Sequence, residues 1–535
     1  MSTKKKQSFL GGAAILASAV AIVKILGAVY KIPFGNIVGP EGQTYFNVAY
    51  NIYNVLLTIS TAGLPLAISK LTSQAHTQGR ENQKRKIFST AIWLFFAMGL
   101  VGTLLMFFGA ERLAAFMNEP LGYWPIRALS PAVFCVCLLA CMRGYTQGQG
   151  NMTPTAVSQI LEALCKLGLG LMLAWYFLKL GLGLDIAAAG AILGVTAGTF
   201  LSLLYLIFYL LRHRDRRTSL DKPDSGGKLM RQILAIGIPI TLSNSAMSII
   251  TLVDTKIVLG RLREIPALAD SAAELFGQYT FGMNLINLPP SFVFPVTMSL
   301  IPFAAAALTR RDHAEAGRIV SSGFRLVAVL TIPAGVGLSV VGGPALLMLY
   351  PKRQADALAA GPHMRWLGIA CIFMCLMNLT NVILQTYGKE MIPIWTVIAG
   401  GVTKVVMNYI LVGNPSINIH GAPISTLMCY VVIVGLNLFF VWKYSPEKPR
   451  YLQIFAKPVI ASALMGGGAW AVYGFMSRAL SGHSAYGANA VATLCGILAG
   501  VIVYAVLVVA LRILRAEDLK TVPHGAKLAK LLHLR

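Results

Sequence analysis

Fourteen mostly apolar runs, each long enough to cross a bilayer, follow one another almost from end to end of the chain. Hydrocarbon offers the backbone no hydrogen-bond partner, so each run must satisfy its own N–H and C=O groups. A helix of ~20 residues does this. The runs lie near 10–30, 44–68, 87–108, 126–147, 155–177, 186–210, 232–253, 278–303, 320–342, 366–387, 392–412, 421–442, 456–476 and 488–511. The breaks between them are short and leave no room for a large soluble domain. Composition agrees, with 56% hydrophobic and only 12% charged residues in 535, where soluble domains carry about 25% charged. The expected fold is an all-α polytopic membrane protein with 14 transmembrane helices.

A net charge of +25 would suggest nucleic acid in a soluble chain, but here the charges sort by membrane side and no nucleic-acid partner is expected. An even number of spans puts both termini on one side. Placing them in the cytoplasm leaves most of the 45 Lys and Arg inside, as the positive-inside rule requires. The densest cluster, Arg212, Arg214, Arg216, Arg217, Lys222, Lys228 and Arg231, then anchors the topology between spans 6 and 7 and meets anionic lipid heads. Lys4-Lys5-Lys6 and Ala17-Ser18-Ala19 imitate a secretory signal. The first apolar run continues to Tyr30 and further spans follow, so an uncleaved first helix is the simpler account. All eight cysteines fall inside apolar runs without zinc-like spacing and read as small core residues.

An offset of 238 lays residues 147–166 over 385–404 without a gap, matching Gln147 to Gln385, Gly150 to Gly388, Ile160 to Ile398 and Lys166 to Lys404. An offset of 237 puts Asn47 on Asn284 and Pro65 on Pro302. Six spans separate the copies, so the halves share one topology and are related by a pseudo-twofold along the membrane normal. The expected organisation is an N-terminal lobe of helices 1–6 (1–211), a basic linker (212–231), a C-terminal lobe of helices 7–12 (232–443), and helices 13–14 with a basic tail (444–535). A cavity between the lobes is the expected ligand site. Pro239 in span 7, and Pro289, Pro290, Pro295 and Pro302 in span 8, predict bent or broken helices.

Lys24, Lys166, Lys256, Lys404, Glu162 and Asp254 interrupt apolar runs, where a charge costs ~2.5–3.5 kcal/mol on insertion scales and normally faces a cavity or a partner. Glu162 and Lys166 are four apart, the spacing of a self-neutralising pair; Asp254 and Lys256 are two apart and do not face each other on a helix. Snorkelling to the outer interface is the competing account of Lys24 and Lys256; Lys404 lies deeper. Lys24 and Lys404 lack a sequence-local carboxylate, and cations in a cavity favour an anionic, phosphate-bearing substrate. Asn47, Asn51, Asn54, Asn284 and Asn287 offer neutral hydrogen bonds to sugar or peptide groups, with interhelical packing as the alternative role.

Three stretches carry a family resemblance: residues 23–40 (VKILGAVYKIPFGNIVGP), 63–71 (GLPLAISKL) and above all 143–166 (RGYTQGQGNMTPTAVSQILEALCK). They resemble the Firmicutes lipid II flippases of the MurJ/YtgP type and their sporulation relative SpoVB, within the multidrug/oligosaccharidyl-lipid/polysaccharide exporter superfamily. The resemblance covers essentially the whole chain. It implies two six-helix lobes, a final helix pair lining a groove for an undecaprenyl tail, and a cationic cavity for the pyrophosphate-linked headgroup. Lys24 matches one family cation on helix 1; a second falls at Tyr30, with Lys31 adjacent. Where distant members carry an Asp-Arg pair in span 8, this chain has Asn284-Leu285, so the third family cation is unassigned, with Lys256 and Arg261 as substitutes.

The leading expectation is a flippase, not an enzyme, moving a lipid-linked anionic cell-wall precursor among membrane lipids, with a possible coupling ion. The competing functions are a flippase for another polyprenyl-linked oligosaccharide, a sporulation-specific cell-wall flippase, and a multidrug/cation antiporter, whose cavity would favour carboxylates. A membrane glycosyltransferase would want paired carboxylates near a membrane face; the outer loops hold only scattered ones. No metal, cofactor, nucleotide or nucleophile motif is present.

Overall fold

Every regular element of the computed structural model is helical among the described residues, which are 9–213, 219–445, 447–482 and 484–514. Lys4, Lys5, Lys6, Arg214, Arg216, Arg217 and the tail beyond 514 lie outside them. The chain divides into two compact units, Met1–Gly260 and Arg261–Arg535.

The first unit holds α1 (Phe9–Thr61), α2 (Leu64–Thr77), α3 (Glu81–Phe108), α4 (Ala110–Phe116), α5 (Tyr123–Gly148), α6 (Thr153–Cys165), α7 (Leu171–Lys179), α8 (Leu184–Arg212) and most of α9 (Gly226–Arg263). In a straight helix residues 30 and 46 would stand about 24 Å apart at 1.5 Å per residue. The Tyr30 and Phe46 ring centroids are 6.1 Å apart, and Gln43 Nε2 donates to the Lys31 carbonyl at 3.2 Å. Hence α1 turns back on itself at Gly39, whose φ of 71° suits a residue without Cβ, just before Pro40, which has no N–H to leave unpaired. The first helix thus runs past the expected end at 30, and the second starts before 44. α5 is the most enclosed span here, packed by α1, α2, α3 and α8.

The second unit holds α10 (Ala272–Ile286), α11 (Leu288–Thr309), α12 (His313–Leu349), α13 (Gln354–Ala360), α14 (Met364–Thr386), α15 (Met391–Val412), α16 (Gly421–Tyr444), α17 (Tyr451–Ala479) and α18 (Ala485–Ala510). α14 takes the central place, against α12 and α16. Span 8 is broken at Asn287, where Pro289 and Pro290 open the new helix. Span 7 bends by 46° between Leu242 and Ser245, just beyond Pro239. Among the described residues eleven helices are long and apolar enough to cross a membrane, or twelve with the bent α9 counted as one span.

The 238-residue offset recurs in the ends of four helices. α5 and α14 end at 148 and 386, and α6 and α15 begin at 153 and 391, each pair 238 apart. The turns between them match: Gly150 and Gly388 have φ of 79° and 70°, and their N–H groups bond to Gln147 and Gln385, both at 2.9 Å. The Pro65–Pro302 register does not recur in this way. Both helices after the break open Leu-Pro, at Leu64-Pro65 and Leu288-Pro289, but α2 has 14 residues and α11 has 22, so one offset cannot hold across them.

Candidate functional site

The strongest concentration of intramembrane charge lies in the first unit, and its geometry begins with glycines. Gly190, Gly194 and Gly198 recur every fourth residue along one face of α8, the small-residue spacing that lets membrane helices touch backbone to backbone. A Cβ on Gly194 would stand 2.3 Å from Gly170 Cα, one on Gly198 2.9 Å from the Glu162 carbonyl, and one on Gly190 3.1 Å from the Leu173 backbone. The helix facing them is α6 continuing into α7 through a π-helical turn at Lys166–Gly170. Such π turns are frequent at functional sites; this one carries Lys166.

Lys166 Nζ lies over three rings of the folded α1, 4.5 Å from the Tyr50 centroid, 5.0 Å from Tyr30 and 5.5 Å from Phe46. Each is within the range at which a ring quadrupole attracts an ammonium. The rings support one another: Tyr30 stacks on Phe34 at 5.4 Å and Phe46 on Tyr50 at 5.5 Å. Tyr30 and Tyr53 are fully buried, and their hydroxyls and the side-chain Oε1 of Gln159 have no hydrogen-bond partner among the described residues.

The i,i+4 pair of Glu162 and Lys166 does not form. Glu162 Oε2 instead accepts from Arg143 Nη2 at 3.2 Å, while Arg143 Nε donates to Ser158 Oγ at 2.9 Å. Arg143 reaches Ser158 and Glu162 because the Gly150 turn returns α6 past the end of α5, and sequence spacing could not reveal that. Lys31, half-buried on the first arm of α1, lies within the electrostatic reach of Lys166. Among the described residues neither lysine has a carboxylate within ion-pair distance. Lys31, Arg143 and Lys166 with Glu162 give three cations to one carboxylate, a net positive site.

The remaining candidates scatter. Lys24 is exposed on the first arm of α1 and has a partner rather than standing free, as does Lys404, half-buried on α15. Asn47 is half-buried; Asn51 Nδ2 donates to Thr255 Oγ1 at 2.8 Å, a tie between α1 and α9, which supports the packing role. Thr58 and Ser248 repeat that tie at 2.9 Å. Asp254 is buried and partnered. Lys256 Nζ sits 3.5 Å from the Phe116 centroid, and Arg261 packs 4.2 Å over Tyr409 while paired with Glu264, so neither is a free substitute for the third family cation. Asn284 is buried and partnered near the end of α10. Arg143, Tyr50 and Tyr53 are not among the candidates that sequence alone singles out; an arginine inside an apolar run is the available signal.

The second unit contributes an apolar groove of about 670 Å³, walled by α12, α17 and α18 and opening past Leu285, Leu288 and Pro289. Its lining is almost wholly Leu, Val, Ala, Gly and Met, a surface fit for hydrocarbon.

Helical organisation of this kind defines an all-helical, polytopic membrane fold. The solved lipid II flippase MurJ in an inward closed conformation superimposes with a TM-score of 0.69 at 16% identity, covering 93% of this chain and 99% of that one. An inward-facing multidrug resistance MATE family transporter of the MOP superfamily follows at 0.63, also 16% identical, covering 78% and 97%. The polysaccharide biosynthesis protein family matches residues 9–307, and the chain belongs to that family. Among Bacillus subtilis relatives, the uncharacterized membrane protein YabM is 28% identical over 98% of this chain and 96% of its own length. Stage V sporulation protein B is 24% identical over 97% and 98%, and the lipid II flippase MurJ is 24% identical over 85% and 87%. This chain is therefore a multi-pass membrane protein of the polysaccharide biosynthesis protein family, with the fold of the solved MurJ flippase and MATE transporter.

Proposed function

We propose that the protein is a flippase for an undecaprenyl-pyrophosphate-linked peptidoglycan precursor, lipid II, carried from the inner to the outer leaflet by alternating access. The observation that carries this reading is the net positive cluster of Lys31, Arg143, Lys166 and Glu162 inside the membrane-spanning part of the first unit. A cluster with more cations than carboxylates attracts an anionic headgroup and disfavours the cationic substrates of an antiporter. The apolar groove by α17 and α18 supplies a path for a polyprenyl tail. An inside-negative potential favours outward movement of an anion by ~2.3 kcal/mol per charge per 100 mV, so such a carrier needs no catalytic centre. The reading includes two lobes plus a C-terminal helix pair, and both termini in the cytoplasm. Fourteen spans follow if the two arms of α1 count separately and α9 and the α10–α11 pair count as one span each. Lys24, Asn47, Asn51, Asp254, Lys256, Asn284 and Lys404 are proposed as additional contacts along the route.

A second reading, a sporulation-type flippase or one for another polyprenyl-linked oligosaccharide, is favoured by the near full-length match to stage V sporulation protein B. Rescue of a bacterium depleted of its lipid II flippase separates them. The wild-type chain restores growth under the first reading, and Lys31→Gln with Lys166→Gln reduces rescue at unchanged expression. A well-expressed wild-type chain that gives no rescue refutes the lipid II assignment.

A further inference from the structure

A second charged site lies in the second unit, apart from the cluster above. The start of α12, the link from α16 to α17 and the end of α18 enclose an open cleft of about 1100 Å³. Among the described residues six cations line it, Arg318, Arg325, Lys448, Arg450, Lys457 and Arg512, and Glu447 is the single carboxylate in the lining. Two of the six have structural duties. Lys448 Nζ donates to the Trp442 carbonyl at 2.6 Å and Lys457 Nζ to the Leu511 carbonyl at 2.9 Å, closing the C-terminal ends of α16 and α18. Arg318 bonds only to its own helix, at the Ala314 carbonyl, and Arg450 and Arg512 have no ion pair or side-chain hydrogen bond among the described residues. Arg512 also occupies the position after α18 at φ 48°, a left-handed conformation that favours glycine, so the chain keeps an arginine where backbone preference argues against one.

The cleft lining also has an apolar part, Leu452, Ile454, Ala456 and Ile513, and Ile513 belongs to a buried cluster with Leu326, Val329, Ala461 and Val508. Val329 and Tyr504, which donates to the Val329 carbonyl at 3.0 Å, also line the apolar groove. A cationic cleft and a hydrocarbon-fit groove therefore adjoin on the same three helices. We infer that this cleft binds the phosphate head of an anionic bilayer phospholipid, on the membrane side where α18 ends, with Arg318, Arg450 and Arg512 as its ligands and an acyl chain in the adjoining groove. The chemistry is recognition of a phosphodiester by guanidinium groups. A soluble phosphate compound would satisfy the arginines but leave the apolar part of the lining and the adjoining groove unused, which favours the lipid.

The full chain, purified and placed in nanodiscs of phosphatidylcholine with or without phosphatidylglycerol, tests this by native mass spectrometry of the retained lipid, with inorganic pyrophosphate as the soluble competitor. Wild type should retain phosphatidylglycerol selectively. The Arg318→Gln, Arg450→Gln, Arg512→Gln triple variant should bind it on the order of a hundredfold more weakly, at roughly fivefold per cation. Arg512→Gly relieves the backbone while removing the cation, so it should lose lipid yet keep or raise the thermal midpoint; this separates a ligand from a structural residue. Equal retention by wild type and the triple variant overturns the proposal. So does pyrophosphate displacing phosphatidylglycerol at equal concentration, which would make a soluble anion the ligand.

Discussion

Replacing Gly194 by alanine attacks the contact that positions Lys166. The new Cβ would lie 2.3 Å from both Cα and N of Gly170 and 3.2 Å from the Leu169 carbonyl carbon. Carbon atoms in ordinary contact stand about 3.5–4.0 Å apart, so α8 and the π turn must separate by roughly 1 Å. The obstacle is backbone, and no side-chain rotation relieves it. Overpacking of this kind costs ~1–3 kcal/mol, and the lower chain entropy of alanine returns roughly 0.5–1, leaving a net loss of about 1–2 kcal/mol. Gly168→Ala is the control: it sits in the same π turn, and a Cβ there meets nothing within 4 Å. It should be neutral or stabilising by up to about 1 kcal/mol. Thermal midpoints of the two variants, measured in one detergent at one heating rate, should fall on opposite sides of wild type. Gly194→Ala should also weaken flippase rescue, because the ammonium of Lys166 moves relative to its rings. A Gly194→Ala midpoint equal to that of Gly168→Ala would refute the close-approach argument.

Three further outcomes are expected. The linker carboxylate Asp221 caps α3, accepting from the N–H groups of Asn82 at 3.0 Å and Gln83 at 2.9 Å. Burial pushes its carboxyl up, but Ser219, these two N–H groups and Arg80 outweigh that and hold it below the usual aspartate range. Because the folded value is depressed, the clamp is fully formed above the usual aspartate range and is lost as pH falls through the lower folded value. An acid-tolerant protease should therefore nick the 219–225 segment of wild type only at strongly acid pH, and of Asp221→Asn already at neutral pH; identical profiles would remove the capping role. Single cysteines at 219 and 482, in a chain stripped of its own eight, should react oppositely with an impermeant thiol reagent in intact cells, and equal outside labelling would reverse the orientation. Lys24→Ala and Lys404→Ala should each express normally and reduce rescue; full activity of both would return these residues to a packing or snorkelling role.

The all-helical, membrane-spanning character and the order of the helices were legible in the sequence, because a bilayer imposes one solution on each apolar run and short breaks leave little freedom between runs. The 238-residue offset found from Gln147 and Gln385 survives as matching helix ends and matching positive-φ turns. Local spacing also placed the breaks near Pro239 and Pro289, since a missing N–H interrupts a helix wherever the chain goes next. Partnership was different. Glu162 and Lys166 have the spacing of a pair, yet the fold gives the carboxylate to Arg143, 19 residues away, and the ammonium to rings of α1 more than a hundred residues away. No one-dimensional pattern contains those choices, because they follow from the fold-back at Gly39 and from the glycine face of α8. The same holds for the cationic cleft, whose arginines come from three separate parts of the second half, the start of α12, the link before α17 and the end of α18. Sequence by itself decided which segments enter the membrane, since desolvation of the backbone is a local cost. Tertiary structure decided which charges share a site, since electrostatic energy depends on distance in space and not along the chain.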